Sequence, residues 1–144
     1  MGGYSWGQPE EAEVIVNSAI KRVSEKYNVD ADRIVLTGFS QGGHMAFFIG
    51  LNNTKKFRGI VPVAGSYSPG FASLIETASR AKTRYYLMVG GDDRALESNR
   101  QAEKDLSAAG IGVTLTVFPN LGHRFPENRA EELGKALREV LAKP

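Results

Sequence analysis

Arg33-Ile34-Val35-Leu36-Thr37-Gly38-Phe39-Ser40-Gln41-Gly42-Gly43-His44-Met45-Ala46-Phe47 holds the transition on which the fold turns. From Ile34 to Leu36 apolar, largely β-branched residues follow one another without alternation, as in a parallel strand covered on both faces, and the run stops at Gly38. Residues 41–51 then read as a mostly buried helix, weakened locally by its two early glycines and closed by Asn52-Asn53. A buried strand that enters a buried helix through a glycine-flanked serine belongs to a layered α/β protein.

The same alternation extends outward from this stretch. Upstream, Pro9 opens a helix over 9–28, with Ala12, Ile15, Val16, Ala19, Ile20, Val23 and Tyr27 at helical spacing. Downstream come a buried strand over 59–65, with Pro62 awkwardly in its middle, and a short helix over 71–79. A strand over 84–90, a helix over 95–109 stopped by Gly110, a strand over 113–118 and a helix over 127–142 after Pro126 complete the chain. One helix followed by β-α units predicts an α/β fold with a parallel sheet of about four strands, flanking helices and right-handed crossovers. In such sheets ligands bind outside the carboxyl ends of the strands. No repeat or linker divides the sequence, so residues 1–144 are expected to form a single domain.

Composition narrows the function. The 144 residues are 42% hydrophobic and 24% charged with a formal net charge of +2, and no block of like charges forms a nucleic-acid arm. Neither nucleic acid nor a membrane is expected as a partner, since no apolar run approaches the ~18 residues of a transmembrane helix. The first residues lack the basic start and apolar core of a signal peptide, so a soluble, cytoplasmic protein is expected. The absence of cysteine excludes thiol catalysis and disulfides, and with His44 and His123 the only histidines no metal site is expected. No GxGxxG or GxxxxGK[ST] follows a strand, and no cofactor is expected.

Strand, Gly38, Ser40, Gly42 and helix form the context of a nucleophile elbow, a sharp turn that holds serine in a strained conformation and leaves no room two residues to either side. The helix that follows aims its first N–H groups at the site, and the N–H of Gln41 is a candidate oxyanion donor. A serine hydroxyl needs a base, and the base a carboxylate. His123 follows the fourth strand and Asp92-Asp93 the third, so Ser, Asp and His each leave a different strand at the same edge of the sheet. Either aspartate can serve, the other capping the helix that begins at Ala95. His44, one turn beyond Ser40, points away from it.

Gly38-Phe39-Ser40-Gln41-Gly42-Gly43 resembles the elbow of the carboxylesterase, dienelactone hydrolase and depolymerase-like branches of the α/β-hydrolase superfamily. In that family a strand ending Gly-x-x-Asp carries the acid, which Gly90-Gly91-Asp92-Asp93 matches with Asp93, and Gly122-His123 followed by Phe125-Pro126 resembles its histidine loop. The resemblance implies a serine hydrolase of carboxylic esters, small acyl esters or thioesters among them, acting through Ser40, His123 and Asp93. It covers the second half of the fold. The family's earlier strands, and the loop that gives a second oxyanion donor, have no counterpart in these residues. The rival expectation is therefore a weakly active or inactive fragment, or an oligomerising module, with an incomplete oxyanion hole. Gly2-Gly3-Tyr4-Ser5-Trp6-Gly7 resembles the family's site-lining loop, which makes Tyr4 and Trp6 candidate substrate contacts. Truncation also turns strand 33–38 into a sheet edge and leaves one face to the last helix, around Leu133, Leu137 and Leu141. A homodimer or larger homo-oligomer through that edge or face is expected.

Overall fold

The computed structural model describes residues 6–78 and 82–142. Helix α1 (Pro9–Ser24) starts with proline in its first turn and a capping box between Gln8 and Glu11. Glu10 and Glu11 lie at its positive end, Lys21 and Arg22 at its negative end. Then follow β1 (Val35–Phe39), α2 (Gln41–Asn52), β2 (Gly59–Val63), α3 (Ala72–Ala78), β3 (Arg84–Gly90), α4 (Leu96–Ala108), β4 (Val113–Phe118) and α5 (Arg129–Leu141). The predicted element order holds, with the first helix ending four residues short of the expected Asn28.

All strand pairs are parallel and the sheet order is β1-β2-β3-β4. Because spatial order equals chain order, crossovers of one hand fall on one face. There Ala12 of α1, Phe47, Ile49 and Leu51 of α2, Ile75 of α3 and Ala102 and Leu106 of α4 close over Ile60, Tyr85 and Leu87. The opposite face packs Val61, Val63, Tyr86 and Met88 under Ala136 and Val140 of α5, with Leu133 and Leu141 at the margin. As expected, the last helix alone covers this face among the described residues, although Leu137 points outward and is 39% exposed.

β1 is an edge strand of the sheet among the described residues, as expected. Pro62 sits inside β2 nonetheless, and all five residues of that strand are buried. The Ala64 N–H donates to Met88 O of β3 at 2.8 Å, so the N–H missing two residues earlier also faces β3, where register pairs are absent at Val61 and Pro62. The pairing with β1 runs through Pro62 unbroken.

The stripe on α1 departs from expectation. Ala12 is buried and Val16 and Ile20 pack against the core, but Ile15, Val23 and Tyr27 stay 53%, 49% and 69% exposed. α1 packs against α2, and its Ala12 and Val16 line a groove with Leu36 of β1, while the side of the stripe that carries Ile15 and Val23 is left exposed. No helix among the described residues is long and apolar enough to cross a membrane.

Candidate active site

Ser40 occupies the single residue between β1 and α2, at φ 55° and ψ −115°. A side chain at positive φ costs on the order of 1–3 kcal/mol, so the surroundings must hold it there. They do so through backbone: the Ser40 N–H donates to Val63 O at 2.9 Å and its carbonyl accepts from His44 N–H at 3.0 Å. A Cβ on Gly38 would fall 2.2 Å from Gly42 O, which is why the next-to-last residue of β1 is glycine. Sequence spacing makes Gly42 the matching requirement on the other side, and the structure moves that requirement by one residue. A Cβ on Gly42 would meet only Trp6 Nε1 at 3.6 Å, whereas one on Gly43 would lie 2.8 Å from Gly65 Cα.

The turn after β3 holds the aspartates. Asp93 has a fully buried side chain whose Oδ1 accepts the Ala95 N–H at 2.9 Å. Its Oδ2 lies 2.9 Å from His123 Nδ1. Asp93 thus meets the imidazole and ties down the turn before α4 at once, neither aspartate caps α4 itself, and Asp92 is exposed, its N–H donating to Leu121 O at 2.9 Å. That last bond ties the aspartate turn to the histidine loop.

His123 lies after β4, beyond Asn120, which takes the left-handed conformation at φ 55° that asparagine tolerates. Its Nε2 is 2.7 Å from Ser40 Oγ and its side chain is 35% exposed. With the ring proton on Nδ1, His123 donates to Asp93 and leaves Nε2 to accept from the serine. Phe39 packs against the imidazole with centroids 5.3 Å apart and stacks on Phe125 at 4.8 Å. No sequence pattern marks this aromatic backing beyond the position of both phenylalanines within two residues of the polar side chains concerned.

The other candidates are dispersed. Gln41 opens α2 beside Ser40, and its Oε1 accepts the Trp6 N–H at 3.3 Å. Trp6, 42% exposed, lines an apolar groove with Val16, Leu36, Met45 and Ile49 along the β1 edge. Tyr4 lies outside the described residues. His44 turns away, its Nδ1 2.8 Å from Ser66 O and its ring against Phe71.

Residues 10–141 match the phospholipase/carboxylesterase family. The chain belongs to that family. Among its relatives, acyl-protein thioesterase 1 of Neurospora crassa is 32% identical over 121 residues, covering 80% of this chain and 49% of its own length. Acyl-protein thioesterase 1 homolog 1 of Dictyostelium discoideum is 26% identical over 140 residues, covering 94% and 61% respectively. The chain spans about half the length of the curated relatives it matches. Arabidopsis thaliana SOBER1 shares the fold with a TM-score of 0.77 at 22% identity, over 98% of this chain and 68% of that one. The family member described here has the α/β-hydrolase architecture from β1 onward, as the resemblance implies.

Proposed function

We propose that this chain carries the nucleophile, base and acid of a serine hydrolase that cleaves carboxylic esters or thioesters through an acyl-enzyme. The observation that carries the reading is the hydrogen-bonded series from Ser40 Oγ through His123 to the buried Asp93, at the carboxyl ends of three parallel strands. His123 Nε2 takes the hydroxyl proton as Ser40 Oγ bonds to the acyl carbon, and Asp93 stabilises the imidazolium that results. The N–H of Gln41, at the start of α2, donates to the carbonyl oxygen as it becomes anionic. Collapse of the intermediate breaks the bond to the alcohol or thiol, which leaves with the proton from His123, and water attacks the acyl-serine by the same route. Trp6, which lines the groove beside Gly38 and Gly42, contacts the acyl group of a small-molecule substrate.

Labelling by a fluorophosphonate tests this reading, because it requires an activated serine. One equivalent attaches at Ser40, located by peptide mass, and abolishes p-nitrophenyl butyrate hydrolysis in proportion to occupancy. Turnover that survives full labelling, or a label on another residue, would overturn the reading.

The chain also self-associates along β1. The Ser40 N–H and the Ile34 carbonyl face β2, so by alternation the peptide groups of Val35, Thr37 and Phe39 face outward, open to a further strand. The exposed apolar residues of α1 supply additional area for a second copy. Multi-angle light scattering at micromolar concentration is expected to return the mass of two or more chains, and the mass of one chain would refute it.

A further inference from the structure

Asn99, the fourth residue of α4, is an amide with no exposed surface. Its Nδ2 donates 2.8 Å to Gly65 O and 2.8 Å to Ala95 O, and its Oδ1 has no hydrogen-bond partner among the described residues. A buried amide satisfied on one side only is a costly way to fill a helix–sheet interface. The helix itself does not require it, because Ala95 O already accepts the Asn99 backbone N–H at 3.0 Å. What the side chain adds is the bond to Gly65.

Each end of that bridge leads to the candidate site. On one side, the Ala95 N–H donates to Asp93 Oδ1 at 2.9 Å, so the start of α4 and the aspartate turn move together. On the other, Gly65 lies in the loop after β2, where Ala64 is held at φ 50°. This loop meets the elbow backbone to backbone: a Cβ on Gly65 would stand 2.6 Å from Gly43 Cα and 2.8 Å from His44 N. Val63 O accepts the Ser40 N–H at 2.9 Å, and Ser66 O bonds His44 Nδ1 at 2.8 Å. A second tie from α4, the Tyr67 N–H to Ser98 Oγ at 3.2 Å, holds the far end of the same loop.

We infer that Asn99 is a positioning residue, whose amide locks the turn bearing Asp93 and the elbow bearing Ser40 into one frame by bridging Ala95 O and Gly65 O. The inference rests on the proposed roles of Ser40, His123 and Asp93. Without the bridge, Gly65 O loses its donor in a site water does not reach, the loop relaxes, and the contact that supports Gly43 loosens. His123 and Asp93 stay on the β3 and β4 side, so Ser40 shifts relative to them. A displacement well below the size of an atom is enough to slow the chemical step while leaving substrate contacts intact.

Three variants of the full chain test this. Asn99→Leu keeps the branching and the number of side-chain heavy atoms and removes both N–H donors. Asn99→Ser keeps a hydroxyl that bonds back to Ala95 O, as helical serines do, but is too short to reach Gly65. Leu106→Ala opens the fully buried core about two turns further along α4 and serves as the matched loss of stability. Both Asn99 variants are expected to lower kcat and the rate of fluorophosphonate labelling by about tenfold or more, with KM within about twofold of wild type. Hydrogen exchange of the peptide spanning residues 38–46 is expected to quicken in both. Leu106→Ala is expected to lower the melting temperature as much, yet retain the labelling rate and the protection of that peptide. Wild-type labelling and wild-type elbow protection in Asn99→Ser would overturn the inference, as would losses in Leu106→Ala equal to those in the Asn99 variants. If the wild type itself fails to label, the catalytic reading falls, and the exchange comparison alone decides whether Asn99 holds the elbow.

Discussion

Asp93→Asn is expected to lower kcat by about 10⁴ while the fold and melting temperature stay close to wild type. The side chain is fully buried between two fixed partners, the Ala95 N–H at Oδ1 and His123 Nδ1 at Oδ2, each at 2.9 Å. Ala95 is a backbone donor and cannot change role, so an asparagine must keep its carbonyl there and turn its NH₂ toward the imidazole. Nδ1 then has to accept, which moves the ring proton to Nε2. From that position His123 faces Ser40 Oγ as a donor and cannot take the serine proton. Asp92→Asn serves as the control, because Asp92 is exposed and joins the histidine loop through its backbone N–H alone. It is expected to stay within about threefold of wild type, as surface changes usually do. Steady-state turnover of p-nitrophenyl butyrate by the two variants decides the matter, and a large loss in Asp92→Asn with a small one in Asp93→Asn would reverse the assignment.

The same pair of residues marks where sequence reading stops. Uninterrupted apolar runs expose parallel strands because both faces are buried, so Val35–Phe39, Gly59–Val63 and Arg84–Gly90 announce themselves, and the residues just beyond them become candidates by position. Position alone leaves Asp92 and Asp93 both open, and the Gly-x-x-Asp resemblance singles out Asp93; the bond from Asp92 N–H to Leu121 O, which ties this turn to a distant loop, is a contact that no local pattern encodes. Gly43 is missed for the same reason: its close neighbour is Gly65, on another element, while the motif draws attention to Gly42. On α1 the period correctly identifies a helix but cannot reveal which side of its stripe finds a packing surface, so Ile15 and Tyr27 read as core and are exposed. Asn99 is the extreme case. An amide among Glu97, Ser98 and Arg100 reads as a solvated helix face, and only its burial against the loop after β2 sets it apart.

Gly38→Ala is expected to destabilise the chain by about 3 kcal/mol, near the upper end of what overpacking costs, and to abolish Ser40 labelling in the fraction that remains folded. The added methyl would sit 2.2 Å from Gly42 O, 2.3 Å from Gly42 C and 2.9 Å from Gly43 N. All three are backbone atoms of the first turn of α2, so no flexible side chain can yield. Gly43 in turn is wedged against Gly65, so α2 cannot retreat in that direction. Relief must come from opening the turn that keeps Ser40 at φ 55°, which draws Oγ away from His123 Nε2. For a domain of this size a loss of that order lowers the melting temperature by roughly 10 °C. Gly42→Ala provides the contrast two residues beyond Ser40, since its methyl meets only Trp6 Nε1 at ordinary contact distance and alanine is favoured over glycine in a helix by about 1 kcal/mol. It is expected to melt at or slightly above the wild-type temperature and to label normally. If the two variants lose stability equally, the elbow is constrained by its symmetric glycine pattern. If Gly38→Ala alone collapses, the constraint is the steric one, passed from β1 through α2 to the loop after β2.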